Sequence, residues 1–305
     1  GTAMTGRATA QLIGRVGVWL GALGWVPAAD ARRAATEIEN LGYGALWVGE
    51  GHLTKEVFTN VGLLLAAAER LPVVTAIANI WVRDATAMNA AANTLAEAYP
   101  GRFVLGLGAS HARQVDHRGH EYRKPLAAMG KYLDDLDAAE YGAPAPAIPV
   151  PRVLAALRPR MLELARDRAA GAHPYLVPVE HTARAREILG EEPLLAPEQA
   201  VVLEEDPVVA RRIARAHLRF YLGLPNYVNN LLACGFTDED VASGGSDRLV
   251  DRLVAWGGAE AIRSRVAEHL AAGADHVAIH PLGEGRVLCQ DQLRELAPAL
   301  LEVTR

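Results

Sequence analysis

Residues 102–116 read RFVLGLGASHARQVD. Phe103, Val104, Leu105 and Leu107 make an apolar run able to form a buried strand, and Gly106, Gly108, Ala109 and Ser110 carry it into a small-residue loop that ends at His111. A buried strand whose C-terminal end opens into a glycine-rich loop with a titratable tip is the βα arrangement on which parallel α/β proteins place their chemistry. Outward from this unit the same phrase recurs: a helix, a glycine, then a short apolar strand. Ala31, Ala34, Ala35, Ile38 and Leu41 share one helical face, Gly42 stands where a left-handed C-terminal cap belongs, and residues 45–48 form the next strand. Related phrases surround Gly101, Gly171 followed by residues 175–179, and Gly273 followed by residues 277–279.

Strands are expected near residues 16, 45, 73, 103, 153, 175, 199 and 276, the third running unbroken over 73–82, with helices between them. Because each strand is a near-continuous apolar run, an α/β chain folded as a closed (β/α)8 TIM barrel is predicted over an open doubly wound sheet. Residues 208–256 are mostly helical, with a break at residues 243–247, and are read as a helical insertion between strands seven and eight that serves as a lid or a subunit contact. One domain over residues 1–305 is expected, since barrels commonly reach this size as one unit.

Composition narrows the partners. Half of the residues are hydrophobic, 22% are charged and the formal net charge is -5, which leaves no basic field for nucleic acid, and no apolar run reaches the length of a membrane span. Cys234 and Cys289 sit in no disulfide or zinc-site spacing and read as free thiols of a reducing compartment. The residues before Met4 read as an added remnant, no secretory pattern follows, and a cytoplasmic location is expected.

In a barrel the chemistry sits just after each strand. That rule singles out Glu50 and His52 after strand two, Asn79 in strand three, Ser110 and His111 after strand four, and Ala155 and Ala156 after strand five. His181 and Thr182 follow strand six, and His280 ends strand eight. Glu50 and His52 bracket Gly51, and an acid and an imidazole there could exchange protons with a substrate; alternatively Glu50 pairs with Arg83 inside the mouth. His111, His117 and His120 lie near Asp116 and Glu121, but their spacing matches no zinc motif and no metal is expected. GLGAS lacks the helix-opening GxGxxG pattern of dinucleotide folds. The many small residues suit the cradling of a large flat ligand.

Several phrases together resemble the bacterial luciferase-like family of flavin- or deazaflavin F420-dependent oxidoreductases. They are LGYGALWVGE from Leu41, TAIANIWVRDATAMNAAANTLAEAYPGRFVLGLGASH from Thr75, GHEYRKPLAAMGKYLDDLDAA from Gly119 and AAGADHVAIHPL from Ala271. The resemblance spans essentially the whole chain and is strongest over residues 42–139. It implies a TIM barrel that binds coenzyme F420, or FMN, at its C-terminal mouth, with a non-proline cis peptide mapping to Ala76 and Ile77 behind the ring and Asn79 nearby. It places Gly108, Ala109, Ser110, Ala155 and Ala156 along the ribityl chain. It assigns the phosphate to the segment of Val179, His181 and Thr182, where amide donors and the helix dipole favour an anion. The implied reaction is hydride transfer to or from a small organic substrate, with Glu50, His52 or His111 handling the proton, in a homodimer. An FMN-dependent monooxygenase fed by a separate reductase, and a barrel that binds a flavin-like ligand without catalysis, are the alternatives. Gly51 separates the acid from the histidine, which departs from the adjacent pair common among deazaflavin-dependent dehydrogenases.

Overall fold

The computed structural model describes residues 3–109 and 124–302. The first helix, α1 (Gly6–Ile13), is capped by the Thr5 hydroxyl and precedes strand β1 (Val16–Trp19). Three helix–strand units follow: α2 (Ala28–Leu41) and β2 (Leu46–Val48), α3 (Val57–Ala67) and β3 (Val73–Thr75), then, after β4 (Ala78–Asn79), α4 (Ala85–Ala98) and β5 (Phe103–Gly108). Gly42 takes the predicted left-handed cap at φ 98°. Next come α5 (Pro125–Ala138), β6 (Arg152–Ala155), α6 (Pro159–Arg168), β7 (Gly171–His173), α7 (Val179–Leu189), β8 (Leu194–Leu195) and β9 (Glu198–Leu203). The insertion comprises α8 (Pro207–Tyr221), α9 (Pro225–Ala233), α10 (Asp238–Val241) and α11 (Asp247–Leu253). The chain then closes with β10 (Val254–Gly257), α12 (Ala259–Ala271), β11 (Val277–Pro281) and α13 (Gln290–Glu302).

All strand pairs are parallel, in the order β10-β9-β11-β1-β2-β3-β5-β6-β7-β8. The two ends of this path meet because β8 and β9 are one strand interrupted at Ala196 and Pro197. Residues 194–198 bond to the segment around β7 (Leu194 N–H to Ala170, Ala196 N–H to Ala172, Glu198 N–H to Pro174), and residues 198–201 pair with β11. A barrel of eight positions results, with β10 added beside the upper half of β9.

Burial follows this geometry. Trp47, Val74, Val104, Val153, Ala196 and Ala278 fill the barrel interior and Ile13 of α1 joins them. The larger cluster lies between strands and surrounding helices, and a separate one, built on Leu218, Tyr227, Leu231, Leu249 and Val250, holds the insertion against Ala200 and Val202. Inside the barrel Trp47 donates its indole N–H to His276 Nε2 at 3.0 Å, His276 Nδ1 bonds the Gly14 carbonyl at 2.7 Å, and His173 stacks on Trp47.

Four expectations need correction. The sixth strand is Gly171–His173, while residues 175–179 leave the sheet, with Leu176 at φ 61° and packed into the insertion core. The glycine is required there, because a Cβ on Gly171 would lie 2.1 Å from the Leu194 carbonyl oxygen. The third strand is broken at residues 76–77 rather than continuous to 82. Residues 254–256, expected at the end of the helical insertion, belong to β10. The helix α1 was not anticipated.

Candidate active site

The third strand is built around a bulge. From Val74 to Ala78 the chain takes four steps while its partner takes three, from Val104 to Leu107, and the peptide joining Ala76 to Ile77 is cis, at the position expected for it. An extra residue on one strand bends it and re-aims its side chains. The neighbouring strand makes room with glycines. A Cβ on Gly106 would stand 1.9 Å from the Thr75 carbonyl oxygen, and one on Gly108 would stand 2.5 Å from the Ile77 side chain. Thr75 locks the pair, its hydroxyl donating to the Gly106 carbonyl and accepting from the Gly106 N–H, both at 2.8 Å.

Glu50, in the loop after β2, supports this bulge from the side. Its oxygens accept from Arg83 at 2.9 and 2.7 Å, from Val57 N–H at 3.1 Å and from Asn79 N–H at 3.3 Å. The carboxylate is 3% exposed and the Arg83 side chain 10%. Of the two readings open to Glu50, the ion pair is the one formed, and with four donors on its two oxygens the group is placed to hold the loop rather than to exchange protons. His52 lies half-buried beside it. Asn79 accepts from Trp81 N–H, and the Trp81 indole donates to the Ala109 carbonyl at 2.7 Å, tying the bulge to the loop after β5. Ser110, His111 and the further histidines of that loop lie outside the described residues.

Ala155 and Ala156 sit at the end of β6, as expected of small residues along the mouth. At the start of α7 the side chains of His181 and Thr182 are engaged within the protein. His181 is buried and bonds through Nε2 to the Leu157 carbonyl at 2.6 Å, while the Thr182 hydroxyl is buried against His269 Nδ1 at 2.9 Å. His269 Nε2 in turn meets Gln199 Oε1 at 2.8 Å. Since an amide oxygen only accepts, His269 carries its proton on Nε2 and accepts from Thr182. The other ring nitrogen of His181, Nδ1, is buried with no hydrogen-bond partner among the described residues. Burial lowers the His181 pKa, and the neighbouring Arg158 and Arg184 add to the effect.

Across the ring from β3 and β5 lie β9 and β11. There Glu198, 1% exposed, accepts from or shares a proton with His280 Nδ1 at 2.8 Å, and the Leu176 N–H points at its other oxygen. His217 of α8 meets His280 edge-on with ring centres 5.0 Å apart. Trp19 lies 4.5 Å from the His280 ring and Tyr175 5.2 Å from Trp19, and the Tyr175 and Tyr221 hydroxyls bond at 2.9 Å. Burial raises the Glu198 carboxyl to about 7 and pushes both imidazoles down to about 3, so the histidines are neutral at physiological pH. His280 was singled out by its place at a strand end. Glu198 and His217 were missed: the acid opens an apolar strand, and the histidine sits in the amphipathic pattern of a helix. A cavity of about 630 Å3 bordered by Asn89, Asn93, Asp137, Arg152 and Arg168 lies on the flank, away from this mouth.

A parallel eight-position barrel with a bulged third strand and an aromatic, histidine-rich opposite wall is of the TIM-barrel class. The luciferase-like monooxygenase family model matches residues 11–276, and the chain belongs to that family of oxidoreductases. A 5,10-methylenetetrahydromethanopterin reductase of Methanolobus tindarius is 24% identical over 217 residues, 62% of this chain and 67% of the relative. The coenzyme F420-dependent tetrahydromethanopterin reductase of Methanopyrus kandleri superposes with a TM-score of 0.73 at 13% identity, covering 96% of this chain and 100% of that one. The oxygenating constituent of 3,6-diketocamphane monooxygenase of Pseudomonas putida, in complex with FMN, gives a TM-score of 0.73 at 11% identity, covering 95% and 97%.

Proposed function

We propose that the chain is an F420-dependent oxidoreductase that moves a hydride between the deazaflavin and a small organic substrate. The observation that carries this reading is the break of the third strand at residues 76–77, packed closely against the glycines of β5, which re-aims the strand end at the mouth of the barrel. The sequence relative that reduces methylenetetrahydromethanopterin and the F420-dependent structural neighbour support the choice of cofactor. When bound, the deazaflavin supplies the hydride chemistry.

On this reading the chain's own residues position and enclose. Ala76, Ile77 and Asn79 back the ring, and Gly108, Ala109, Ser110, Ala155 and Ala156 line the ribityl chain. The anionic tail is received at the start of α7 by backbone N–H groups from Val179 onward, helped by Arg158 and Arg184, with His181 and Thr182 shaping that end from inside. Glu50 and Arg83 hold the bulge in place, and His52 or His111 carries the proton. Keeping ring and substrate face to face in a water-poor mouth lowers the entropic part of the barrier.

An FMN-dependent monooxygenase is the second reading, favoured by the FMN-bound neighbour of equal TM-score. Anaerobic incubation with oxidised F420 and a panel of alcohols, aldehydes and reduced pterins separates the two. Loss of the oxidised deazaflavin absorbance without oxygen supports the proposal. Turnover only with reduced FMN and oxygen overturns it.

A further inference from the structure

The Glu198, His217 and His280 side chains form a group that neither the cis bulge nor the proposed cofactor wall uses. They come from β9, α8 and β11, and one nitrogen or oxygen ligand atom from each lies within 4.8 Å of the others. We propose that this group is a binding site for a divalent first-row transition ion, Zn2+ being the reference case, at the wall of the mouth opposite the bulge.

Three observations carry the assignment. Two imidazoles and one carboxylate are the donor types that Zn2+ and its neighbours take, and three protein ligands leave a position for water or for an oxygen of a substrate. His217 Nε2 is shielded from solvent and has no hydrogen-bond partner among the described residues, an arrangement that is costly for an imidazole nitrogen unless something else engages it. Glu198 is buried, yet among the described residues it pairs with no arginine or lysine; its only ion-pair partner is His280. A buried carboxylate needs a compensating positive charge or a proton, and a cation inserted between Glu198, His280 and His217 supplies it while engaging the unpartnered nitrogen.

The surroundings suit a built site. Trp19, Tyr175 and Tyr221 wall the histidines, at ring-centre distances of 4.5 Å for Trp19 to His280 and 5.3 Å for His217 to Tyr221. Glu198 and His280 are fixed on paired strands, with Ala278 opposite Glu198 and His280 opposite Ala200, so two of the three ligands are set by backbone register. His217, on the last turns of α8, is the ligand that adjusts.

The test uses the full chain, stripped with a chelator and dialysed, then titrated with Co2+ as a visible probe and with Zn2+ against a competing chromophoric chelator. One equivalent bound, with Co2+ bands of four- or five-coordinate intensity and displacement by Zn2+, is expected. Glu198→Gln, His217→Gln and His280→Gln are each expected to weaken binding by more than the about 10–100-fold that an outer-shell change costs. Circular dichroism and thermal unfolding check that the variants fold. His217→Gln, on a half-buried helix face, is the variant least exposed to misfolding. Absence of stoichiometric binding by the unaltered protein overturns the proposal, and leaves a hydrogen-bonded cluster in which the carboxyl keeps its proton. Binding that survives all three substitutions also overturns it, placing the ion elsewhere, and the outcome is read without any cofactor or substrate.

Discussion

Arg83 grips both oxygens of Glu50, at 2.9 and 2.7 Å, and the same carboxylate reaches the backbone of Asn79 just beyond the cis bulge. The ion pair therefore links the loop after β2 to the broken third strand. Arg83 also bonds Glu56, which caps α3. Glu50→Ala leaves a largely buried guanidinium with one partner, and a loss on the order of 3 kcal/mol is expected in urea unfolding. Glu50→Gln, which keeps the shape and loses the charge, is expected to cost less. If Glu50→Ala is as stable as the unaltered protein, the supporting role is wrong.

The two glycines of β5 separate fold from site. A methyl at Gly106 meets a backbone oxygen that cannot move away, so Gly106→Ala is expected to cost about 3 kcal/mol, the upper end for overpacking. A methyl at Gly108 meets the Ile77 side chain, which can turn. Gly108→Ala is expected to be milder in stability and to weaken cofactor binding about tenfold by pushing Ile77 toward the ring, about 1.4 kcal/mol. Calorimetry and fluorescence titration of the two variants measure each half.

Thr182 and Arg158 are predicted to behave oppositely. Thr182→Val removes the hydroxyl that His269 Nδ1 accepts from and leaves that nitrogen buried, costing about 1–3 kcal/mol of stability with cofactor affinity little changed. Arg158→Ala leaves stability nearly unaltered and weakens binding of an anionic cofactor, with a steeper loss at low salt, where the charge is least screened. A fall in affinity for Thr182→Val alone would return that hydroxyl to the ligand.

Acid is expected to unfold the barrel early. Burial holds His276 at about 4 and His269 at about 3, whereas an unfolded imidazole titrates near 6.5. Above pH 6.5 both states leave these rings neutral, so they add no pH dependence. Below it the unfolded chain takes up protons that the folded chain refuses, and stability falls as pH drops toward 4, by about 2 kcal/mol per ring at pH 5. Chemical denaturation at pH 8, 6.5 and 5 measures this. Equal stability at pH 6.5 and 5 contradicts it.

Much of the barrel was legible because parallel strands buried on both faces leave continuous apolar runs, as at residues 103–107 and 277–279, and Gly42 marks its helix end by conformation. The errors have physical sources. Residues 175–179 are apolar because the helical insertion buries them, not the sheet, whereas Gly171, Ala172 and His173 are small or polar because neighbouring strands crowd them. The strand at residues 254–257 hides behind the apolar pattern of α11. At the mouth, the position of the bulge came from family resemblance, since nothing in TAIAN marks a cis peptide by composition. The Glu198, His217 and His280 group unites residues 82 positions apart at its extremes, a proximity that register and the packing of α8 create.

The account's central claim is the cofactor. Purified protein titrated with oxidised F420 and separately with FMN, followed by fluorescence, tests it most directly. Tight, saturable binding of F420 with FMN weaker by at least about tenfold, a difference of about 1.4 kcal/mol, is the predicted result. Tight FMN binding with weak F420 binding would contradict the account and move the chain to the monooxygenase side of its family.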